Sequence, residues 1–288
     1  MKRSRSYSAP GLAATRAGGD DSPRRRKTIP LDETIRGALL ARLGDERRHI
    51  AYAGQSRHVG PLVTRNAAVD GAWHNVTSPH LTAADADATI AGEIAHHRAI
   101  GKAFEWKVYA HDALGDLRDR LARHGFTVGP LEAVLVYDLA RPPLWENDLD
   151  TCAVRRVTTP EDVQVYSRVS SDVFGRAFTF EGELAEAVRA GSSDTRGYIA
   201  WHGDEPVAMG RLYTHPQSWF GGMYGGGTRP GFRGRGFYRA LVAARARDAS
   251  ASGTKFLLVD ALPTSRPILE RLGFQHLSDT WACEWKPV

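Results

Sequence analysis

The segment Thr228-Arg229-Pro230-Gly231-Phe232-Arg233-Gly234-Arg235-Gly236-Phe237-Tyr238 carries the residue types and spacing best suited to chemistry. Glycines at 234 and 236 remove side chains where the chain is expected to turn into a helix. Backbone N–H groups exposed there, at the positive end of a helix dipole, form an anion seat that suits a pyrophosphate. Arg233 and Arg235 add cationic reach. Taken alone, Arg233–Gly236 also reads as a glycine-rich turn with solvated arginines. Dinucleotide binding is disfavoured, because the spacing is not G-x-G-x-x-G and the next strand has no ribose-binding acid at the expected distance.

The elements around this loop follow from pattern. A glycine-rich strand, Trp219–Thr228, precedes it and a helix, Gly236–Ala251, follows. Beyond come an apolar strand Lys255–Ala261, a helix Arg266–Leu272 ended by Gly273, and a closing strand Leu277–Trp285. Upstream, Cys152–Val157 reads as a strand and Pro160–Val173 as a helix with proline in its first turn. A helix is expected over Glu181–Ala190, then strands Tyr198–Trp201 and Val207–Thr214 joined by a Gly203-Asp204 turn.

The first half of the chain opens with a helix from Leu31 stopped at Gly44, followed by a loop-rich stretch with Gly54, Gly60, Pro61 and Gly71. Thr82 is expected to cap a helix closed by Gly101. Strand Phe104–Ala110, helix Leu114–His124 and strand Glu132–Leu139 complete this half. The two halves end alike. Aligning Phe126 with Phe274 sets Asp112 opposite Asp260 and Leu121 opposite Leu269 without gaps, which a divergent tandem repeat explains economically.

With loop and element order in place, the segment from about 152 to 288 resembles the GCN5-related N-acetyltransferases (GNAT). The family's Arg/Gln-x-x-Gly-x-Gly/Ala pattern corresponds to Arg233, Gly236 and Tyr238, with Tyr238 standing where a small residue is expected. Thr228-Arg229-Pro230 and Leu272-Gly273-Phe274 match as well. The resemblance implies an α/β fold: tandem domains, each with a mixed, largely antiparallel central sheet flanked by helices. It implies transfer of an acetyl group from acetyl-CoA, as co-substrate, to a primary amine. The cofactor would lie on Gly226, Gly227, Thr228, Arg233, Gly234, Arg235, Gly236, Phe237 and Tyr238. Donors polarising its thioester carbonyl contribute on the order of 3 kcal/mol each.

Proton handling is the open part. Many relatives carry a tyrosine four residues before the LGF glycine, where this chain has Leu269, and a glutamate on the glycine-rich strand, which here has no carboxylate. Tyr224 and Asp260 are the nearest titratable candidates for catalysis. No metal site is expected. Cys283, on an apolar strand, reads as a buried inert thiol. His96 and His97 read as solvated, Glu93 and His97 as a weak pair, and Trp73, Trp106 and Trp145 as core or interface anchors.

Composition bounds the rest. The chain has 288 residues, 42% hydrophobic and 25% charged, which gives enough apolar material for a core and fits one large or two ordinary domains. Two cysteines cannot build a disulfide framework, which suits a reducing cytoplasm. No apolar run reaches the ~18 residues of a membrane span, and a secretory signal is not evident. Residues 1–29 hold eight Lys and Arg against Asp20 and Asp21, a net of +6; the whole chain is +5, so the remainder is −1. That near-neutral body argues against a nucleic-acid face. The organisation expected is a disordered basic tail (1–29), a degenerate GNAT-like domain (30–140), a linker (141–150) and the acetyltransferase domain (151–288). The first domain is expected to wall the acceptor cleft, and the assembly to be a monomer or homodimer. The acceptor, a small molecule or a protein amine, is not legible. The rival readings are a non-catalytic acyl-CoA sensor or scaffold, and a modifier recruited to nucleic acid by the tail.

Overall fold

The computed structural model describes residues 31–141 and 153–287. The basic tail, nearly all of the expected linker, Trp145 and Cys152 lie outside them.

Helix α1 (Glu33–His49) starts where the Asp32 carboxylate accepts the Thr34 N–H at 2.8 Å. It runs through Gly44, where a stop was expected, because its last turn is held by tertiary partners: Glu46 accepts the Trp219 N–H at 2.8 Å and Arg47 donates to Asp112 at 2.7 Å. The loop-rich stretch that follows contains three strands, β1 (Gln55–Val59), β2 (Thr64–Ala68) and β3 (His74–Thr77). Next come α2 (Ala86–Ala99), β4 (Phe104–Tyr109), α3 (Leu117–Arg123), a two-residue β5 (Thr127–Val128) and β6 (Glu132–Asp138). Thr82 does not cap α2. The N-cap is Asp85, and Thr82 donates its hydroxyl to that carboxylate at 2.6 Å.

The second half follows its sequence pattern closely: β7 (Ala153–Arg156), α4 (Pro160–Phe174), α5 (Glu181–Arg189), β8 (Thr195–His202) and β9 (Glu205–Tyr213). It ends with β10 (Phe220–Thr228), α6 (Phe237–Ala251), β11 (Phe256–Ala261), α7 (Arg266–Arg271) and β12 (Gln275–Trp285). Helix α4 has the anticipated first-turn proline, and Thr159 and Asp162 satisfy each other's backbone N–H groups in a capping box.

All of these strands join one sheet, in the order β1-β2-β3-β4-β12-β6-β11-β10-β9-β8-β7, with β5 on the side of β12. Only β3–β4 and β10–β11 are parallel. The last strand of each half therefore lies inside the other half: β12 between β4 and β6, and β6 between β12 and β11. Strand β6 is buried on both faces, so its residues are apolar without interruption from Ala133 to Tyr137. Ala133, Leu135 and Tyr137 pack with α6 on one face, while Val134 and Val136 pack under Leu39 and Leu43 of α1 on the other.

Candidate active site

The site begins where two strands part. Strand β10 pairs with β11 only at Phe220↔Phe256, Gly221↔Leu257 and Gly222↔Leu258. Beyond Gly222, β10 continues alongside β9 to Thr228↔Ala208, while β11 follows β6 to Ala261↔Ala133. Among the described residues, the edge of residues 223–228 that faces β11 thus has no strand partner. Opposite it, the β9 register shifts between Tyr224↔Arg211 and Gly227↔Met209, so Gly225 and Gly226 face the single residue Gly210 in a bulge. Gly225 sits at φ +55°, which a side chain rarely adopts.

The glycine loop closes the far end of this opening. Helix α6 starts at Phe237 with Gly236 as N-cap at φ +87°, and Gly236 has no side chain to satisfy the helix's first N–H groups. The first intrahelical bond is Ala240 N–H to Gly236 C=O, so the amides of Phe237 and Tyr238 have no acceptor within the helix. Arg233 folds back and donates from Nε to the Thr228 carbonyl at 3.2 Å. Arg235 is exposed; it meets His202 at 3.0 Å and lies over the rings of Phe232 and Phe237. Phe237 itself is a core residue at 4% exposure. Tyr238 does not point outward. A Cβ built on Gly226 would stand 3.1 Å from the Tyr238 ring, so that ring packs over the bulge and lines the opening.

A cavity of about 570 Å³ extends from the bulge across the sheet to β2, β3 and β4. Tyr224 lines it, 41% exposed, with its ring edge-on to Tyr213 at 5.4 Å. Packing in the cleft, and then Asp260 and Tyr109 nearby, push its phenol above the ordinary range, so it keeps its proton at neutral pH. Asp260 also lines the cavity, and Lys107 of β4 reaches it at 3.1 Å while meeting Glu132 of β6 at 2.6 Å. Burial works against the Lys107 charge, but Asp260, Tyr109, Glu132 and Glu105 around it hold its pKa well above the ordinary value. Asp112, aligned with Asp260 in sequence, is elsewhere: it accepts the Tyr109 N–H at 2.9 Å and pairs with Arg47.

Sequence reasoning missed Glu105, Lys107, Arg211 and Arg245, all of which line the cavity. Burial pushes the Glu105 carboxyl up, and the Asn75 amide donates to it at 3.1 Å. The first half thus supplies a wall of this cavity through Tyr52, Trp73, Asn75, Glu105, Lys107 and Tyr109. Trp73 reaches the second half directly, donating to Glu183 of α5 at 3.2 Å.

The residues set aside in sequence mostly stay aside. Cys283 is fully buried and its thiol is pushed up to about 11, chiefly by burial. Trp106 is a core residue at 0% exposure, and Leu269 is equally buried. His97 departs from expectation: it is 1% exposed, its ring stacks on Phe104 at 3.8 Å, and its Nδ1 lies 2.9 Å from the Glu93 carbonyl. Among the described residues there is no His, Cys, Asp and Glu grouping that holds a metal ion, and no helix is long and apolar enough to cross a membrane.

A parted parallel strand pair, a bulge at the parting and a glycine loop at a helix start make up the candidate site. Residues 164–274 match the model of the Acetyltransferase (GNAT) family, a span holding β8 to β11, the loop and α6. No curated protein matches the sequence. A GCN5-related N-acetyltransferase from Kribbella flavida superposes with a TM-score of 0.64 at 14% identity, covering 90% of this chain and 97% of its own. A GCN5-related N-acetyltransferase from Sphaerobacter thermophilus gives 0.56 at 15% identity, covering 80% and 82%. A conserved protein of unknown function from Staphylococcus epidermidis gives 0.60 at 11% identity, covering 84% and 100%. The chain has the mixed α/β fold of these GCN5-related structures, and residues 164–274 match the GNAT family model.

Proposed function

We propose that this protein moves an acetyl group from acetyl-CoA to a primary amine by direct attack. The observation that carries this reading is the open edge of residues 223–228 beside the bulge, continuous with the uncapped start of α6. Main-chain N–H groups along such a path suit a thioester arm at one end and a pyrophosphate at the other. The residues that would hold the cofactor are Gly226, Gly227 and Thr228 along the arm and Arg233, Gly234, Arg235, Gly236, Phe237 and Tyr238 around the phosphates. When bound, the cofactor supplies an activated acyl group on a thiol that can leave. The fit rests on this chain: a Cβ at Gly226 would crowd Tyr238 at 3.1 Å, and among the described residues no side chain caps α6 at Gly236.

The chain's own residues divide the remaining work. Asp260, held by Lys107, takes the proton of the acceptor ammonium, and Tyr224, kept protonated, returns one to sulfur. Tyr224 stands in for the tyrosine that Leu269 replaces. The first half of the chain walls the acceptor pocket, and we read it as a degenerate copy of the second, each half lending its last strand to the other. Holding the amine against the thioester in a walled cavity supplies much of the rate, since well-oriented pairs gain roughly 7–11 kcal/mol.

The test is calorimetric titration with acetyl-CoA, followed by thioester turnover over a panel of amino acids, polyamines, amino sugars and peptides. Binding with turnover of at least one class is expected. Binding without turnover across the panel would favour a sensor, and no binding would overturn the reading.

A further inference from the structure

Two buried guanidinium groups flank the bulge from opposite faces of the sheet. A Cβ on Gly225 would lie 3.5 Å from Arg211 Nη2 on the α4 side, and one on Gly226 would lie 3.3 Å from Arg245 Nη2 on the α6 side. Arg245 fits because Gly210, across the bulge, also lacks a side chain; a Cβ there would stand 2.9 Å from its Nη1. Arg245 is 1% exposed and Arg211 4%. Arg245 donates from Nε to the Leu241 carbonyl at 3.1 Å and from Nη1 to the Arg211 carbonyl at 3.3 Å, and its Nη2 has no partner among the described residues. Among the described residues, neither guanidinium has a carboxylate within salt-bridge distance.

The groups facing Arg245 are phenols: Tyr238 of its own helix, Tyr166 of α4 and Tyr198 of β8. Arg211 lies over the Phe180 ring at 4.0 Å and donates to the Tyr213 hydroxyl at 2.9 Å, with Glu183 of α5 as the carboxylate that acts on it. Burying a cation without a counter-charge carries a desolvation cost of several kcal/mol, and an apolar residue of similar volume is commonly as stable or more so. Arg245, buried with no carboxylate partner among the described residues and met by the Tyr238 phenol, in a hole made by two glycines, is a positive charge held in reserve for an anion.

We propose that Arg245 is the positioning charge that stabilises the thiolate released at the bulge, with Arg211 reinforcing it from the other face. This rests on the acetyltransferase reading of the cleft. As the acceptor nitrogen bonds to the acyl carbon, the C–S bond breaks and its electron pair stays on sulfur. Asp260 already holds the proton taken from the ammonium, so the second proton lost by nitrogen replaces, at Tyr224, the one that Tyr224 gives to sulfur. Before that proton arrives the sulfur is anionic, and Arg245 acts on it across the bulge. A cation in low dielectric is worth far more to a developing charge than one in water.

The experiment compares coenzyme A with desulfo-coenzyme A, which lacks the thiol, by calorimetry over about pH 6 to about pH 9. In the wild-type protein the preference for coenzyme A is expected to rise about tenfold with pH, as a thiol pKa lowered by one unit requires. In Arg245→Met that rise disappears, kcat falls about 100-fold and KM for acetyl-CoA is unchanged. Arg245→Gln, which keeps a donor without the charge, serves the same purpose if the methionine variant does not fold, and Arg245→Lys restores part of the rise. If the wild-type preference is flat with pH, or survives in Arg245→Met and Arg245→Gln, the proposal is overturned while the cleft reading stands. If the wild-type protein binds neither compound, the cleft reading itself fails.

Discussion

Lys107 of β4 ends 3.1 Å from the carboxylate of Asp260 on β11, although β12 and β6 lie between their strands. The contact ties a side chain of the first half to the proposed proton acceptor of the second, at the point where β10 and β11 part. It gives the Asp260 carboxylate a cationic partner within the cleft. It also makes the two halves interdependent at the chemical centre as well as in the sheet.

Replacing Lys107 with Met leaves Asp260 and Glu132 facing each other without a counter-charge. Their mutual repulsion is then uncompensated, since Lys107 is the cation that both contact. The acid limb of the pH–rate profile is expected to move up by about one unit or more, and stability to fall by about 3 kcal/mol, as for other broken buried pairs. An unmoved acid limb in steady-state kinetics would separate Asp260 from the proton transfer.

Gly236 at φ +87° admits no other residue without strain of about 1–3 kcal/mol. Gly236→Glu adds a negative charge beside the start of α6, so affinity for coenzyme A is expected to be abolished while the protein still melts cooperatively, a few degrees lower. Retained affinity by calorimetry would move the phosphate seat elsewhere.

The exchange of last strands makes a physical claim about domains. Residues 31–141 expressed alone lack β12, which covers β4 and β6 on the edges they share with it. We expect no cooperative unfolding from that fragment by denaturant titration. A sharp transition would show that the first half is stable without the second.

His111 is pushed down to about 4 by burial, with Arg47 adding to the effect. Between pH 4 and its ordinary 6.5 the folded protein binds fewer protons there than the unfolded chain. Stability is therefore expected to fall as pH is lowered through that window, levelling off below it. His111→Gln should flatten this part of the curve; an unchanged acid slope in thermal melts would contradict the assignment.

The second half was legible because its signals are local. Pro160 at the first turn of α4, the Gly203-Asp204 hairpin and Gly273 after α7 each fix a boundary through backbone conformation. The strands β1 to β3 were missed for a physical reason: their inward positions include Thr64, Asn66 and Thr77, which are buried yet polar. A cavity wall has no apolar alternation to read. Asp112 looked equivalent to Asp260 because the alignment carries position and not environment, and in the fold it is a structural partner of Arg47. Arg245 sits in the run Arg245-Ala246-Arg247-Asp248, which reads as a solvated helix face. The glycines at 210 and 226 that make room for it are far apart in sequence. Only strand register brings them together.

Hydrogen exchange with and without acetyl-CoA tests the central claim most directly, because it reads the main-chain nitrogens themselves. Slowed exchange is expected at residues 223–228 and at the loop and first turn of α6 through Tyr238. Unchanged exchange there, with protection appearing in another part of the chain, would contradict the account.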